Sequence, residues 1–158
     1  MRLCELTKIV PIFTCGADMS STVTGDSVCV KHFGHATFIL VFDGTVDGAA
    51  ALTLKQGATD GAATAALACD YTYTAVDIGS DGAETLVALT NDADGAISLT
   101  EATYENRMMV IEVDCKTMTD GYDWIDLIIA SITNGLVSCI CILSEPRYAS
   151  DLGETVLS

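Results

Sequence analysis

The sequence predicts an all-β fold: an antiparallel β-sandwich, jelly-roll-like, with about eight strands, an extended N-terminal arm and a C-terminal tail. Three observations lead there. The apolar segments are short and rich in Val, Ile, Thr, Phe and Tyr, clusters of Gly, Asp, Asn and Thr separate them, and almost nothing repeats with the 3.6-residue period of a long amphipathic helix. The length of 158 residues suits one domain with a real core. The division is an arm over 1–24, a sandwich over 25–146 and a tail over 147–158.

The arm carries Leu3, Leu6, Ile9, Val10, Ile12 and Phe13, interrupted by Pro11 and Gly16. Such a segment either lies on a neighbouring subunit or forms an edge strand of its own sheet. A short strand follows at 27–30. HATFILVF, 35–42, is apolar on both faces, as a central strand is, and Asp43-Gly44 supplies its turn. AALTLKQ (50–56) and ACDYTYT (68–74) alternate, the second with Tyr71 and Tyr73 opposite Asp70 and Thr72. ETLVALT (84–90) and RMMVIEV (107–113) read as strands as well.

The run WIDLIIASITNGLVSCICIL, 124–143, is about long enough to cross a bilayer. Asp126 and Asn134 would both be costly in lipid. Asn134-Gly135 is a strong hairpin signal, because a type I′ turn needs positive φ at both positions. The run is therefore expected to be two strands folded back on each other as a hairpin, with Trp124 as an anchor at the core or its rim.

Seven Lys and Arg against 22 Asp and Glu give a formal net charge of −15. An exterior of that sign repels nucleic acid and anionic headgroups, so neither nucleic acid nor membrane is expected as a partner. MRLCELTKIVPIF is too short and interrupted for a signal peptide, which points to synthesis in cytoplasm. The seven cysteines, Cys4, Cys15, Cys29, Cys69, Cys115, Cys139 and Cys141, lie scattered in apolar stretches and read as reduced, packed thiols. None is spaced for zinc, and Cys139 and Cys141 on a strand share one face.

TNDADGAISLTE, 90–101, places Asp92, Asp94, Gly95 and Glu101 on calcium-loop positions, but Thr90 stands where the first Asp belongs. An acidic turn between strands is the plainer reading. His32 and His35, three apart, fall on opposite faces of a strand and lack a third ligand. No Gly-x-Ser-x-Gly elbow, His-Glu-x-x-His pair or phosphate loop is present, so no enzyme, cofactor or firm metal site is expected.

MMVIEVD (108–114), then GYDWIDL (121–127) and the ending ILSEPRY (142–148), with FGHATFILVFDGTV (33–46) and Tyr71-Thr72-Tyr73 before them, resemble small jelly-roll virion proteins of tailed bacteriophages. The resemblance implies a cement or decoration protein, made in the host cytoplasm and bound to the outer surface of the capsid. Its partners would be the major capsid protein and itself, commonly as a trimer. The contacts then expected are Leu6, Ile9, Val10, Ile12 and Phe13 in the arm and Pro146, Arg147 and Tyr148 at the tail. A tail- or fibre-associated module binding a host-surface glycan is the alternative, and a secreted calcium-stabilised domain using Asp92, Asp94 and Glu101 is a third.

Overall fold

Alternation along the longest strands builds two antiparallel sheets. The computed structural model describes residues 6–44, 46–147 and 156–157. In chain order the strands are β1 (Lys8–Pro11), β2 (Ala17–Asp18), β3 (Val23–Thr24), β4 (Val28–Cys29), β5 (Phe33–Phe42), β6 (Ala49–Gly57) and β7 (Ala65–Ala66). They continue with β8 (Cys69–Tyr73), β9 (Thr90–Asp92), β10 (Ala96–Thr100), β11 (Met108–Asp114), β12 (Trp124–Ile129) and β13 (Leu136–Pro146). One helical turn, α1 (Glu101–Tyr104), joins β10 to β11.

Sheet A has the order β1-β13-β5-β11-β8-β9, with β2 added to β13. Sheet B has the order β10-β6-β12-β3, with β4 also on β12 and β7 also on β6. The pairings nest: β1 with β13, β3 and β4 with β12, β5 with β11, β6 with β10. That is one long hairpin of paired strands wrapped around a core, the jelly roll. In β5 the inward set Phe38, Leu40 and Phe42 is wholly buried, and Leu52, Leu54, Ile125 and Leu127 answer from sheet B. Each such side chain contributes about 1.5–3 kcal/mol of burial.

Two sequence expectations need correction. The predicted hairpin over 124–143 does not form: β12 belongs to sheet B and β13 to sheet A, so Asn134-Gly135 lies in a crossover between sheets. Gly135 has φ 143°, and Asn134 is not among the described non-glycine residues with positive φ, so no type I′ turn is made. Two stretches of matching hydrophobicity pack across a core as readily as they pair within a sheet.

The expected strand over 84–90 is mostly solvent-facing, with Leu86 42% and Leu89 60% exposed. A bridge from Leu86 to Thr74, the bond from Val87 N–H to the Tyr73 carbonyl and the bond from the Thr72 hydroxyl to the Val87 carbonyl tie it to β8 and its end, and regular pairing starts at Thr90.

Of the two readings of the N-terminal segment, the described residues from 6 onward show the edge strand. β1 pairs with β13 as an edge strand, and Val10, Ile12, Phe13 and Met19 are core. Of the expected tail, Arg147, Val156 and Leu157 are described, and Val156 is 5% exposed, its carbonyl accepting the Cys29 N–H at 2.9 Å.

Candidate interaction surfaces

The outer face of sheet A follows from register. Ile9, Ile142 and Thr37 stand side by side across β1, β13 and β5. The next row is Pro11, Ile140, Ile39 and Val110, and the next Ser138, Val41 and Met108. No residue in these rows carries a charge. Strands lie about 4.8 Å apart, so the side chains merge into one aliphatic field. Ile9 is 45%, Leu136 42%, Val41 41% and Ile140 40% exposed.

Polar groups begin at the β11 side of that field. Glu112 accepts a hydrogen bond from the Thr37 hydroxyl at 2.9 Å and also meets His35 Nε2 in close contact. Its cross-strand neighbour Asp70 accepts from the Asn91 side-chain amide at 2.8 Å.

Sheet B turns a different outer face to solvent. β6 presents Ala49, Ala51 and Thr53, and β10 presents Ala96, Ser98 and Thr100. Asp126 sits on this side of β12 yet is only 6% exposed. Its carboxylate accepts from the Ser27 hydroxyl and from Ala63 N–H at 3.2 Å, while Ser27 Oγ accepts from Gly61 N–H at 2.8 Å. A carboxylate bonded this way pins residues 61–63 over the sheet. Close approach there demands glycine: a Cβ on Gly57 would stand 2.7 Å from Ala63 Cα. Trp124 is half-buried beside Gly57 and Cys29.

The calcium-like segment is a crossing from sheet A to sheet B. Asp92 Oδ1 accepts the backbone N–H groups of Asp94 and Ala96, both at 3.0 Å, the bonding of an Asx turn. Gly95, at φ 60°, lies under Leu67, where a Cβ would stand 2.2 Å from the Leu67 carbonyl oxygen. Glu101 opens α1 beyond β10. Among the described residues no group of three His, Cys, Asp or Glu side chains could hold a metal ion. No described helix is long and apolar enough to cross a membrane.

Cys139 and Cys141 do share the inward face of β13. Burial pushes the thiols of Cys69, Cys115 and Cys139 up to about 12, and Cys141 well above its ordinary value. Cys15 is exposed, with the Ser138 hydroxyl 3.7 Å from its sulfur, at the margin of the aliphatic field.

Of the contacts expected from sequence, Leu6, Ile9 and Arg147 are exposed and Pro146 is partly so, whereas Val10, Ile12 and Phe13 are spent on the core. Tyr148 lies outside the described residues. Sequence reasoning missed Ile39, Val41, Val110, Ile140 and Ile142. The signal was present: HATFILVF and CICIL are apolar at both parities, although only one side of sheet A faces the core.

No family model and no curated protein matches the chain. Among solved structures it is similar to the SPBc2 prophage-derived protein YomS, at 14% identity and TM-score 0.45, over 88% of this chain and 93% of that one. It is also similar to a chain of Desmodium yellow mottle tymovirus, at 11% identity and TM-score 0.29, over 89% of this chain and 87% of that one. A chain of infectious bursal disease virus, Gt strain, has 10% identity and TM-score 0.20, over 94% of this chain and 43% of that one. The jelly-roll assignment rests on the nested strand pairing itself.

Proposed function

We propose that the chain is a structural virion protein that binds the outside of a phage capsid shell and stabilises it as a cement or decoration protein. The observation that carries this reading is the uncharged aliphatic field on the outer face of sheet A, centred on β13 and β5, on a chain of net charge −15. Folding does not require Ile9, Val41, Ile140 and Leu136 to stand in water. Covering such a face removes apolar area at about 25 cal/mol per Å², and contiguous apolar patches on acidic, soluble proteins mark interaction sites.

The partner is the major capsid protein. Each subunit bridges neighbouring capsid subunits, so binding stabilises the assembled lattice relative to the open one. The acidic remainder of the surface keeps many bound copies from aggregating. The subunits work as a homo-oligomer, a trimer, which multiplies weak individual contacts through effective concentration.

Co-sedimentation with expanded shells of the capsid protein tests the reading. Saturation at hundreds of copies per shell, reduced by Ile140→Lys, is the expected result. No binding, or only a few copies per particle, overturns it and makes a glycan screen the next step.

A further inference from the structure

We infer that the free edge of β10, together with Tyr71 and Tyr73 beneath it, is a slot for one extended segment of another polypeptide. The inference is independent of shell binding through the outer face of sheet A. Folded proteins protect sheet edges, and three of the four edges described here are protected. β1 carries Lys8 and Pro11, β9 is three residues long, and the β4 end of sheet B is covered where the Val156 carbonyl takes the Cys29 N–H. β10 has the sequence AISLT, without Lys, Pro or a bulge, and no strand described pairs with its far side.

Register shows which groups it offers. The bond from Leu54 N–H to the Gly95 carbonyl, 2.7 Å, places residues 95, 97 and 99 in the hydrogen-bonded pairs with β6. Residues Ala96, Ser98 and Thr100 therefore direct their backbone groups away from the sheet. Asp92 caps the Ala96 N–H. The N–H and C=O of Ser98, with the Ala96 C=O and the Thr100 N–H, remain for an incoming strand, while the Thr100 C=O opens α1.

The floor of the slot is a second, separate observation. Sheet B stops at β10, whereas sheet A continues past β11 to β8 and β9. Tyr71 and Tyr73 stand on the inward face of β8, beside Ile111 and Met109, which are 0% exposed. The two tyrosines are only partly buried. Their position in the sandwich calls for one more strand over them, and none of the described strands supplies it. Tyr73 packs edge-on against Tyr104 of α1, ring centres 5.2 Å apart, which closes one end.

Geometry and charge choose the occupant. A second copy is disfavoured, because an antiparallel β10 would set its own Asp92, Asp94 and Glu101 against those of the first. A lone extended segment fits. Asp92 and Asp94 flank one end of the neutral strand and Glu101 the other, so the segment carries Lys or Arg at its ends and an apolar residue at alternate positions facing the tyrosines. This is recognition by strand addition.

Titration of the full chain with the synthetic peptide Lys-Thr-Val-Thr-Val-Thr-Lys, followed by residue-resolved amide exchange and tyrosine ring signals, tests the slot. The expected result is about tenfold slower exchange at Ser98 and Thr100, shifts at Tyr71 and Tyr73, and much weaker binding of the Glu-flanked counterpart. Ser98→Pro removes an outward N–H that β6 does not use, and lowers peptide affinity by about tenfold. Tyr71→Ala leaves the β10 backbone intact and weakens binding several-fold through the floor alone. Equal binding of both peptides, unchanged affinity in both variants, or no protection of Ser98 and Thr100 at millimolar peptide overturns the inference.

Discussion

On the outside of sheet A, Ile140 and Val41 keep about two fifths of their surface in water, 40% and 41%; on the outside of sheet B the comparable central positions hold Ala51, Thr53 and Ser98. The inward faces of both sheets are the same kind of aliphatic layer. Period-two alternation therefore decides what points inward and leaves the outward chemistry free. On sheet B that freedom went to small residues on β6 and β10, to half-buried Lys55, Trp124 and Ile128, and to Asp126, which fastens a loop over the strands. On sheet A it went to side chains that contribute nothing to the fold until something covers them.

The comparison can be broken most severely at the seam where β7 and β10 share the edge of β6. Gly95→Ala places a Cβ against the Leu67 carbonyl in a left-handed backbone conformation, and is expected to cost about 3 kcal/mol or more, read as a loss of urea midpoint. Asp126→Ala comes next. It leaves the Ser27 hydroxyl and the Ala63 N–H without their acceptor beneath the loop, for about 2–3 kcal/mol and faster amide exchange at residues 61–63.

A third test concerns the inner side of sheet A. The folded thiols of Cys139 and Cys141 are raised above the ordinary 9.0 by burial, so they stabilise the fold fully below about pH 9. That contribution is lost as pH climbs towards about 12. Urea midpoints at pH 7, 9 and 10.5 should fall at the alkaline end, and the double variant Cys139→Val/Cys141→Val should flatten the fall. An equal fall in the variant would assign it to other groups. The smallest effect on stability is expected on the outer face of sheet A: Ile140→Thr changes it by about 0.5 kcal/mol or less, yet lowers the number of copies bound per shell. A change above 1 kcal/mol would mean that this face already supports the monomer.

Much of the framework was legible. β5, β6, β8, β11, β12 and β13 lie where alternation placed them, within a few residues at each end. The failures share a cause, which is that pairing partners are not local information. ETLVALT has the composition of a strand, but β8 takes only part of it as a partner. Asn134-Gly135 has turn chemistry, but nothing nearby in sequence says that its flanking strands belong to different sheets. AISLT was taken up in a calcium template and so went unread as the strand β10. The aliphatic face needed register: Pro11, Ile140, Ile39 and Val110 come from four segments and become one row only when β1, β13, β5 and β11 are aligned.

The place of β13 governs how the chain is made. It lies between β1 and β5, pairing Lys8 with Leu143 and Phe42 with Val137. β1 has no neighbour, and β5 has only β11, until residues 136–146 have been synthesised, so sheet A closes only late in translation and through contacts spanning almost the whole sequence. Such topologies fold slowly and hold apolar edges open meanwhile. Through that interval the aliphatic sides of β5 are exposed on both faces, and the chain's acidity keeps nascent copies apart.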